Sequence, residues 1–422
     1  MNNNPSKEEI INQAIKFHSQ GNIPEAAKYY QYFINQGFKD HRVFSNYGVI
    51  CQDLGKLKEA EILYHKAIEL NPNYAIAHSN LGNILRDIGK LQEAEISYRN
   101  AIELNPNYAI AHSNLGSILK DLGKLQEAEL STRKAIELKP DLADAHCNLG
   151  NILRDLGKLK EAEILYRKAI ELNPNYAIAH SNLGVILSDI GKLQDAELST
   201  RKAIELNPDY AEAHSNLGSI LKDLGKLQDA FDAYLKVIQI NPSFSNIYPS
   251  ITRFLQDSDP SQLNQEKLKY IIKLLLKKND ISHNELTRAF KFVYKNEIIS
   301  SLEKFASDLS EIDFLVNKKV IINALKKIIF SDLKLEEILT KLRRNICHRI
   351  SQNIRTINDS ELKFIIALGE QCFLNEYVYS LTEEEKLSLK SIIKRCQNNE
   401  LSELNISILS CYFPLYKLLD QI

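Results

Sequence analysis

The chain has 422 residues, with 53 Lys and Arg against 54 Asp and Glu, six Cys, one Met and no Trp. That length allows two to three domains and ample chain to bury a core, while a net charge of −1 excludes any global pull towards nucleic acid or anionic lipid. Residues 1–257 hold 28 basic and 32 acidic side chains and residues 258–422 hold 25 and 22, so neither half reads as a polyanion binder.

The cysteines (Cys51, Cys147, Cys347, Cys372, Cys396, Cys411) form no CxxC pair, which argues against a metal site or a disulfide framework. The opening stretch, MNNNPSKEEI, lacks the basic and apolar regions of a signal peptide. The longest apolar runs, such as Ile271–Leu276 broken by Lys273, fall far short of the ~20 residues of a membrane span. The expectation is a reduced, soluble, cytoplasmic protein with no membrane and no nucleic-acid partner.

Self-similarity organises the first half. The string NLG recurs at Asn80, Asn114, Asn148, Asn182 and Asn216, with Asn46-Tyr47-Gly48 before it, in steps of 34 residues. Repeat units fall at 7–40, 41–74, 75–108, 109–142, 143–176, 177–210 and 211–244. The first keeps only Gly21, Ala26 and Tyr30 of the pattern, as suits a capping repeat. In unit 75–108, Ala77, Leu81, Leu85 and Ile88 mark the apolar stripe of a first helix. Gly89-Lys90 ends it, because Gly tolerates the left-handed conformation of a helix C-cap. Leu91, Ala94, Tyr98, Ala101 and Ile102 mark a second helix, stopped by Asn105-Pro106. One such hairpin cannot bury its own stripe, so the units must stack into a solenoid.

Leu81, Gly82, Leu85, Ala94, Tyr98, Ala101 and Pro106 carry a close resemblance to the tetratricopeptide repeat, with His78 where that family often has Trp. The resemblance implies an all-α fold: a right-handed superhelix of seven helix-turn-helix units, followed here by an all-helical C-terminal domain. The units also pair. Thr132 and Thr200 replace Tyr64, Tyr98, Tyr166 and Tyr234, and Asn83 with Arg86 returns as Asn151 with Arg154, so residues 75–142 resemble 143–210 with a period of 68. This points to duplication of a two-repeat block. Residues 245–257 resemble one more first helix, and the polar break Gln256–Pro260 places the domain boundary after residue 257.

Fourteen of the 15 glycines precede residue 226 and the last is Gly369. The second half therefore has no glycine-rich loop of the dinucleotide or Walker type, which needs close backbone approach to phosphate. Its amphipathic runs predict helices near 262–278, 283–299, 312–330, 333–353, 359–379, 383–397 and 401–419. Gln371, Cys372, Phe373, Asn375, Glu376 and Tyr377, with Cys411-Tyr412-Phe413-Pro414-Leu415, are similar to a helical linker of bacterial proteins that join tetratricopeptide arrays to a methyltransferase domain. That resemblance implies a catalytic domain outside this chain, so the chain itself is read as a non-enzyme with no cofactor. As an alternative, it is the substrate-recognition or assembly half of a methyltransferase or glycosyltransferase, which would then be its partner.

The groove of the array is the candidate binding site for a protein or extended peptide. Asn80, Asn83 and Asp87 share one face of the first helix. Stacking turns them into ladders: Asn46, Asn80, Asn114, Asn148, Asn182 and Asn216, with Asn83 and Asn151 beside them, and Asp53, Asp87, Asp121, Asp155, Asp189 and Asp223. A carboxamide both donates and accepts, so a regular row can pair with a peptide backbone without reading its side chains. The repeats resemble the tetratricopeptide half of O-linked N-acetylglucosamine transferases, which implies that the asparagines are the peptide-binding row. Arg86, Lys120, Arg154 and Lys222 are expected to neutralise the aspartates through pairs between neighbouring units, and the asparagine side chains are expected to face solvent.

The other candidates have plainer readings. His78, His112, His146, His180 and His214 are one repeat apart, roughly the 8–10 Å of helix packing, too far to share a zinc ion with its ~2 Å bonds. A core role in place of an aromatic is expected, with no metal. Cys372 with His283 or His348 is read as no catalytic pair, and the cysteines as small buried hydrophobes. Lys341, Arg343, Arg344, Arg349 and Arg355 have no interleaved aromatics and read as a solvated helix face or interdomain contact. Thr382 before three glutamates reads as a helix N-cap.

Overall fold

A computed structural model describes residues 6–244, 246–307, 319–330, 332–352, 359–374, 381–398 and 402–414. Among these are 22 α-helices and no strand. The chain divides into two compact units, residues 1–216 and 217–422.

Unit 1 is a stack of helix pairs: α1 (Lys7–Ser19) with α2 (Ile23–Asn35), α3 (His41–Asp53) with α4 (Leu57–Leu70), α5 (Ala75–Asp87) with α6 (Leu91–Leu104), α7 (Ala109–Asp121) with α8 (Leu125–Leu138), α9 (Ala143–Asp155) with α10 (Leu159–Leu172), and α11 (Ala177–Asp189) with α12 (Leu193–Leu206). The division between units falls within α13 (Ala211–Asp223). Each first helix ends as its glycine predicts. Gly89 has φ +81°, its N–H donates to Arg86 O, and that of Lys90 reaches back to Leu85 O at 2.7 Å, the two-bond pattern that satisfies orphan carbonyls. The second helices α4, α6, α10 and α12 end at an asparagine whose side chain caps the next turn, as Asn105 Oδ1 accepts from the N–H of Asn107, while α2 ends at Gln36 and α8 at Lys139.

Packing within a pair turns on a small residue. A methyl group added at Gly82 would lie 2.7 Å from the Tyr98 ring and one at Gly150 would lie 2.7 Å from the Tyr166 ring. These tyrosines are fully buried, so each ring lies directly on a glycine backbone. Where Thr132 and Thr200 replace the ring, the hydroxyl takes its place over Gly116 and Gly184 and donates to the Ala128 and Ala196 carbonyls. Successive first helices also touch one another, α3 on α5, α5 on α7, α7 on α9 and α9 on α11, so they form the inner wall of the stack. On the second helices, Lys90–Glu61, Lys124–Glu95, Lys158–Glu129 and Lys192–Glu163 pair across repeats at 2.8, 2.9, 2.9 and 3.1 Å. Each such surface pair is worth about 0–1 kcal/mol, so apolar packing rather than charge holds the stack.

Unit 2 continues with α14 (Leu227–Ile240), α15 (Ile247–Asp257), α16 (Gln265–Leu275), α17 (Thr287–Ser307), α18 (Lys319–Lys327), α19 (Leu333–Ser351), α20 (Asp359–Leu374), α21 (Glu383–Gln397) and α22 (Glu403–Ser410). The predicted helices have counterparts here, but the one predicted at 283–299 runs on to Ser307 and the one predicted at 401–419 ends at Ser410. The 312–318, 375–379 and 415–419 parts of the predictions lie outside the described residues, as do Arg355, Asn375, Glu376, Tyr377 and Leu415. Thr382 caps α21 in a full capping box with Glu385.

Glu385 is also the centre of a buried polar cluster. It is 3% exposed and accepts from Arg343 Nη2 at 3.1 Å, Arg344 Nε at 3.0 Å, the Tyr412 hydroxyl at 3.0 Å and the Thr382 N–H at 2.9 Å. Arg343 lies face-on to the Tyr412 ring at 4.5 Å. Within the basic run 341–349, Arg343 departs from the solvated face expected of it: it is 2% exposed because a carboxylate on a facing helix offsets its desolvation, whereas Lys341 is exposed and Arg344 and Arg349 are half-buried.

Candidate functional site

The asparagine row lies on the inner helices and is half-buried throughout, at Asn46, Asn80, Asn114, Asn148, Asn182 and Asn216, as are Asn83 and Asn151. The expectation that these side chains face solvent is corrected. Most donate across the repeat boundary. Asn114 Nδ2 reaches Asn83 Oδ1 at 3.0 Å and Asn182 Nδ2 reaches Asn151 Oδ1 at 3.0 Å. Asn148 and Asn216 instead donate to Ser113 Oγ and Ser181 Oγ, both at 3.1 Å.

The alternation follows from the sequence. Where the preceding repeat offers Asn83 or Asn151, the row asparagine takes it. Where that place holds Ser117 or Val185, the donor drops back one helical turn to a buried serine. Asn83 and Asn151 also accept from the Tyr98 and Tyr166 hydroxyls at 2.7 Å, which satisfies the only polar atom of each buried ring. In the first repeats Asn46 bonds to the Tyr30 hydroxyl, whose pKa burial pushes up to about 12 against that bond. Asn114, Asn148, Asn182 and Asn216 thus each spend an N–H on the preceding repeat, Asn182 Nδ2 also lying 3.8 Å from Cys147 Sγ, and each carries a carbonyl oxygen that can accept from another partner.

The aspartates differ. Asp53, Asp87, Asp121, Asp155, Asp189 and Asp223 are all exposed. The pairs expected between neighbouring units are found inside one helix instead: Arg86–Asp87 at 2.9 Å, Lys120–Asp121 at 3.1 Å and Arg154–Asp155 at 3.5 Å. Adjacent residues at a helix end splay towards a common solvent region, where a long cation bends back more readily than it spans a repeat. Lys222 alone pairs at a distance in sequence, with Asp257 at 3.0 Å. Gln52 and Ser188 precede Asp53 and Asp189, so those two carboxylates have no cation beside them in the chain.

The histidines hold the turns. Nε2–H of His78, His112, His146, His180 and His214 donates to the carbonyl of the proline six residues earlier, at 2.8 to 3.1 Å. Tyr248 repeats this bond through its hydroxyl, to Pro242 O at 2.9 Å, so α15 has the docking contact of a further first helix. All six cysteines are buried and none is in a disulfide. Among the described residues no group of three or more His, Cys, Asp or Glu side chains could hold a metal, and no helix is long and apolar enough to cross a membrane.

Two cavities were not anticipated. One of about 490 Å³ is floored by Ile102, Leu115, Leu119 and Leu130, and one of about 560 Å³ by Ile170, Leu183, Leu187 and Leu198. They are the same site displaced by 68 residues. Ser131 and Ser199 line them at the position where Leu63 and Leu165 stand in other repeats. The leucine-to-serine exchange was a signal available in the sequence, although Ser97 shares it.

The comparisons with known proteins bear on this geometry. Residues 143–176 and 211–244 match the tetratricopeptide repeat family, as do residues 165–197, and residues 48–85, 82–123 and 116–153 match its TPR repeat. No catalytic family is among the matches. Similar solved structures include YrrB, a TPR protein with an unusual peptide-binding site, at 28% identity over 44% of this chain and 97% of that one, TM-score 0.35. They also include Pseudomonas aeruginosa pilF, at 20% identity over 50% and 96%, TM-score 0.44, and a tetratricopeptide repeat protein from Parabacteroides merdae, at 19% over 57% and 95%, TM-score 0.48. No curated protein matches the chain. The 34-residue period, the glycine–tyrosine packing of each pair and the family matches over those same residues agree, and the chain belongs to the tetratricopeptide repeat proteins.

Proposed function

We propose that this chain is a non-catalytic scaffold that holds a protein segment or extended peptide against the inner helices of its repeat array, residues 1–257, in the cytoplasm. The observation that carries the reading is the row of half-buried asparagines, in which Asn114, Asn148, Asn182 and Asn216 are each held by a bond to the preceding repeat and still present a carbonyl oxygen beside an amide group. Such pairs recur once per repeat, a spacing suited to an extended backbone lying along the array. The bonds between repeats fix the carboxamides in place before any ligand arrives, which lowers the ordering cost of binding. The exposed aspartates beside them disfavour an acidic peptide, and Asp53 and Asp189 favour one carrying Lys or Arg near those positions. Six cysteines held outside any disulfide support the cytoplasmic reading.

The test is selection of peptides from a randomised library on the full chain, followed by titration of the enriched sequences. Asp121→Ala/Asp155→Ala/Asp189→Ala is the variant of choice, because these side chains are exposed and their loss leaves the helix packing intact. Affinity should fall by about tenfold or more with the melting curve unchanged. Failure to enrich any peptide, or equal affinity for the variant, would remove the groove as the binding surface.

A further inference from the structure

Unit 2 holds a cleft that peptide binding to the repeats does not use. It has a volume of about 570 Å³ and lies among α16, α17 and α18. Lys269, Lys273 and Lys277 line it, spaced at intervals of four, so they follow one another along a single face of α16 and the turn after it. Lys319, the first residue of α18, adds a fourth ammonium, and Asn323 supplies a carboxamide one turn on. Glu266 and Glu297 are the carboxylates of the cleft. Lys269 takes up Glu266 at 2.8 Å and also feels Glu297. That leaves Lys273, Lys277 and Lys319, all exposed, with no ion pair or side-chain hydrogen bond among the described residues. Three like charges around one concavity repel one another, and an anion placed among them relieves that repulsion.

The lining says what kind of anion. No arginine is present, so the planar, two-pronged fork that matches a carboxylate is missing, while lysine is a compact point charge that serves phosphate well. The volume lies in the range of small-molecule sites, and the concavity is too short for an extended acidic chain. Neighbouring lysines one helical turn apart, about 6 Å along the axis, span linked phosphoryl groups rather than a lone one. We propose that the cleft formed by α16, α17 and α18 is a binding site for a compact oligophosphate, held by Lys273, Lys277 and Lys319 with Asn323 donating to a phosphoryl oxygen. The net charge of +3 over residues 258–422 conceals this site because it averages over the whole half.

Inorganic tripolyphosphate is the probe, titrated calorimetrically into the full chain at about 0.15 M salt, where attraction beyond about 8 Å is screened. One saturable site per chain is expected. Lys273→Gln/Lys277→Gln/Lys319→Gln should weaken it by about tenfold or more. Lys58→Gln/Lys66→Gln/Lys160→Gln, which removes the same charge from exposed positions on the repeats, should leave it unchanged. The substituted lysines are all exposed, and circular dichroism checks that both variants stay folded. Absence of saturable binding overturns the proposal, as does an equal loss in both variants or none in the first. Preferential binding of a hexaglutamate peptide at the same lysines would also overturn it, by making the cleft an acidic-peptide site.

Discussion

The Tyr98 hydroxyl donates to Asn83 Oδ1 at 2.7 Å, and the same oxygen accepts from Asn114 of the next repeat at 3.0 Å. One carboxamide therefore closes the packing inside its own hairpin and ties that hairpin to its neighbour. Tyr166, Asn151 and Asn182 repeat the arrangement 68 residues on.

Removing that acceptor strands two donors at once. Asn83→Ala leaves a buried phenol and a half-buried carboxamide without their partner, which costs about 1–3 kcal/mol. Asn80 makes no such bond, so Asn80→Ala should stay within about 0.5 kcal/mol of the parent. Urea unfolding of the two variants compares them directly, and equal midpoints would show that the oxygen of Asn83 is not shared. The same geometry makes an Asn114, Asn148 and Asn182 triple alanine variant a stability lesion as much as a binding one.

The repeat half was legible because identical physics is written there many times. The 34-residue period located the glycine that the tyrosine ring covers, and the asparagine–proline stop located each second helix. The period cannot say how much of a polar side chain is already spent. Asn148 and Asn182 stand in the same string NLG, yet one bonds to a serine and the other to an asparagine, because the difference lies at residues 117 and 151 of the preceding unit. Arg343 was harder still. Its partner Glu385 is 42 residues away, and in one dimension a buried arginine within a basic run looks like any other.

Gly150 carries a second prediction. A side chain there must enter the space of the Tyr166 ring, with a first atom only 2.7 Å from Cε1. The ring is fully buried against its neighbours and has no room to move aside, so Gly150→Leu should destabilise unit 1 by about 1–3 kcal/mol through overpacking. Gly150→Leu/Tyr166→Ala returns volume to the site and should recover part of the loss. Thermal melting of the single and double variants reads both effects, and an unshifted single variant would mean that these helix faces do not meet there.

Glu385 ties the stability of unit 2 to pH. Burial pushes its pKa up, but the Thr382 N–H, Arg343, Tyr412 and Arg344 together outweigh burial and hold it below the usual 4.5. A carboxylate depressed in the folded state stabilises the fold above the unfolded value, and that contribution is lost as pH falls from about 4.5 through the folded pKa. The protection factors of amides in α19 and α21, measured relative to the intrinsic exchange rate at each pH, should therefore fall below about pH 4.5. Arg343→Met strands the buried carboxylate and should cost unit 2 about 3–5 kcal/mol near neutral pH. Arg343→Met/Glu385→Gln removes the charge along with its partner and should regain much of that. In the double variant, the acid-induced loss of protection that Glu385 contributes should disappear. An acid transition that persists unchanged in that variant would assign it to other carboxylates.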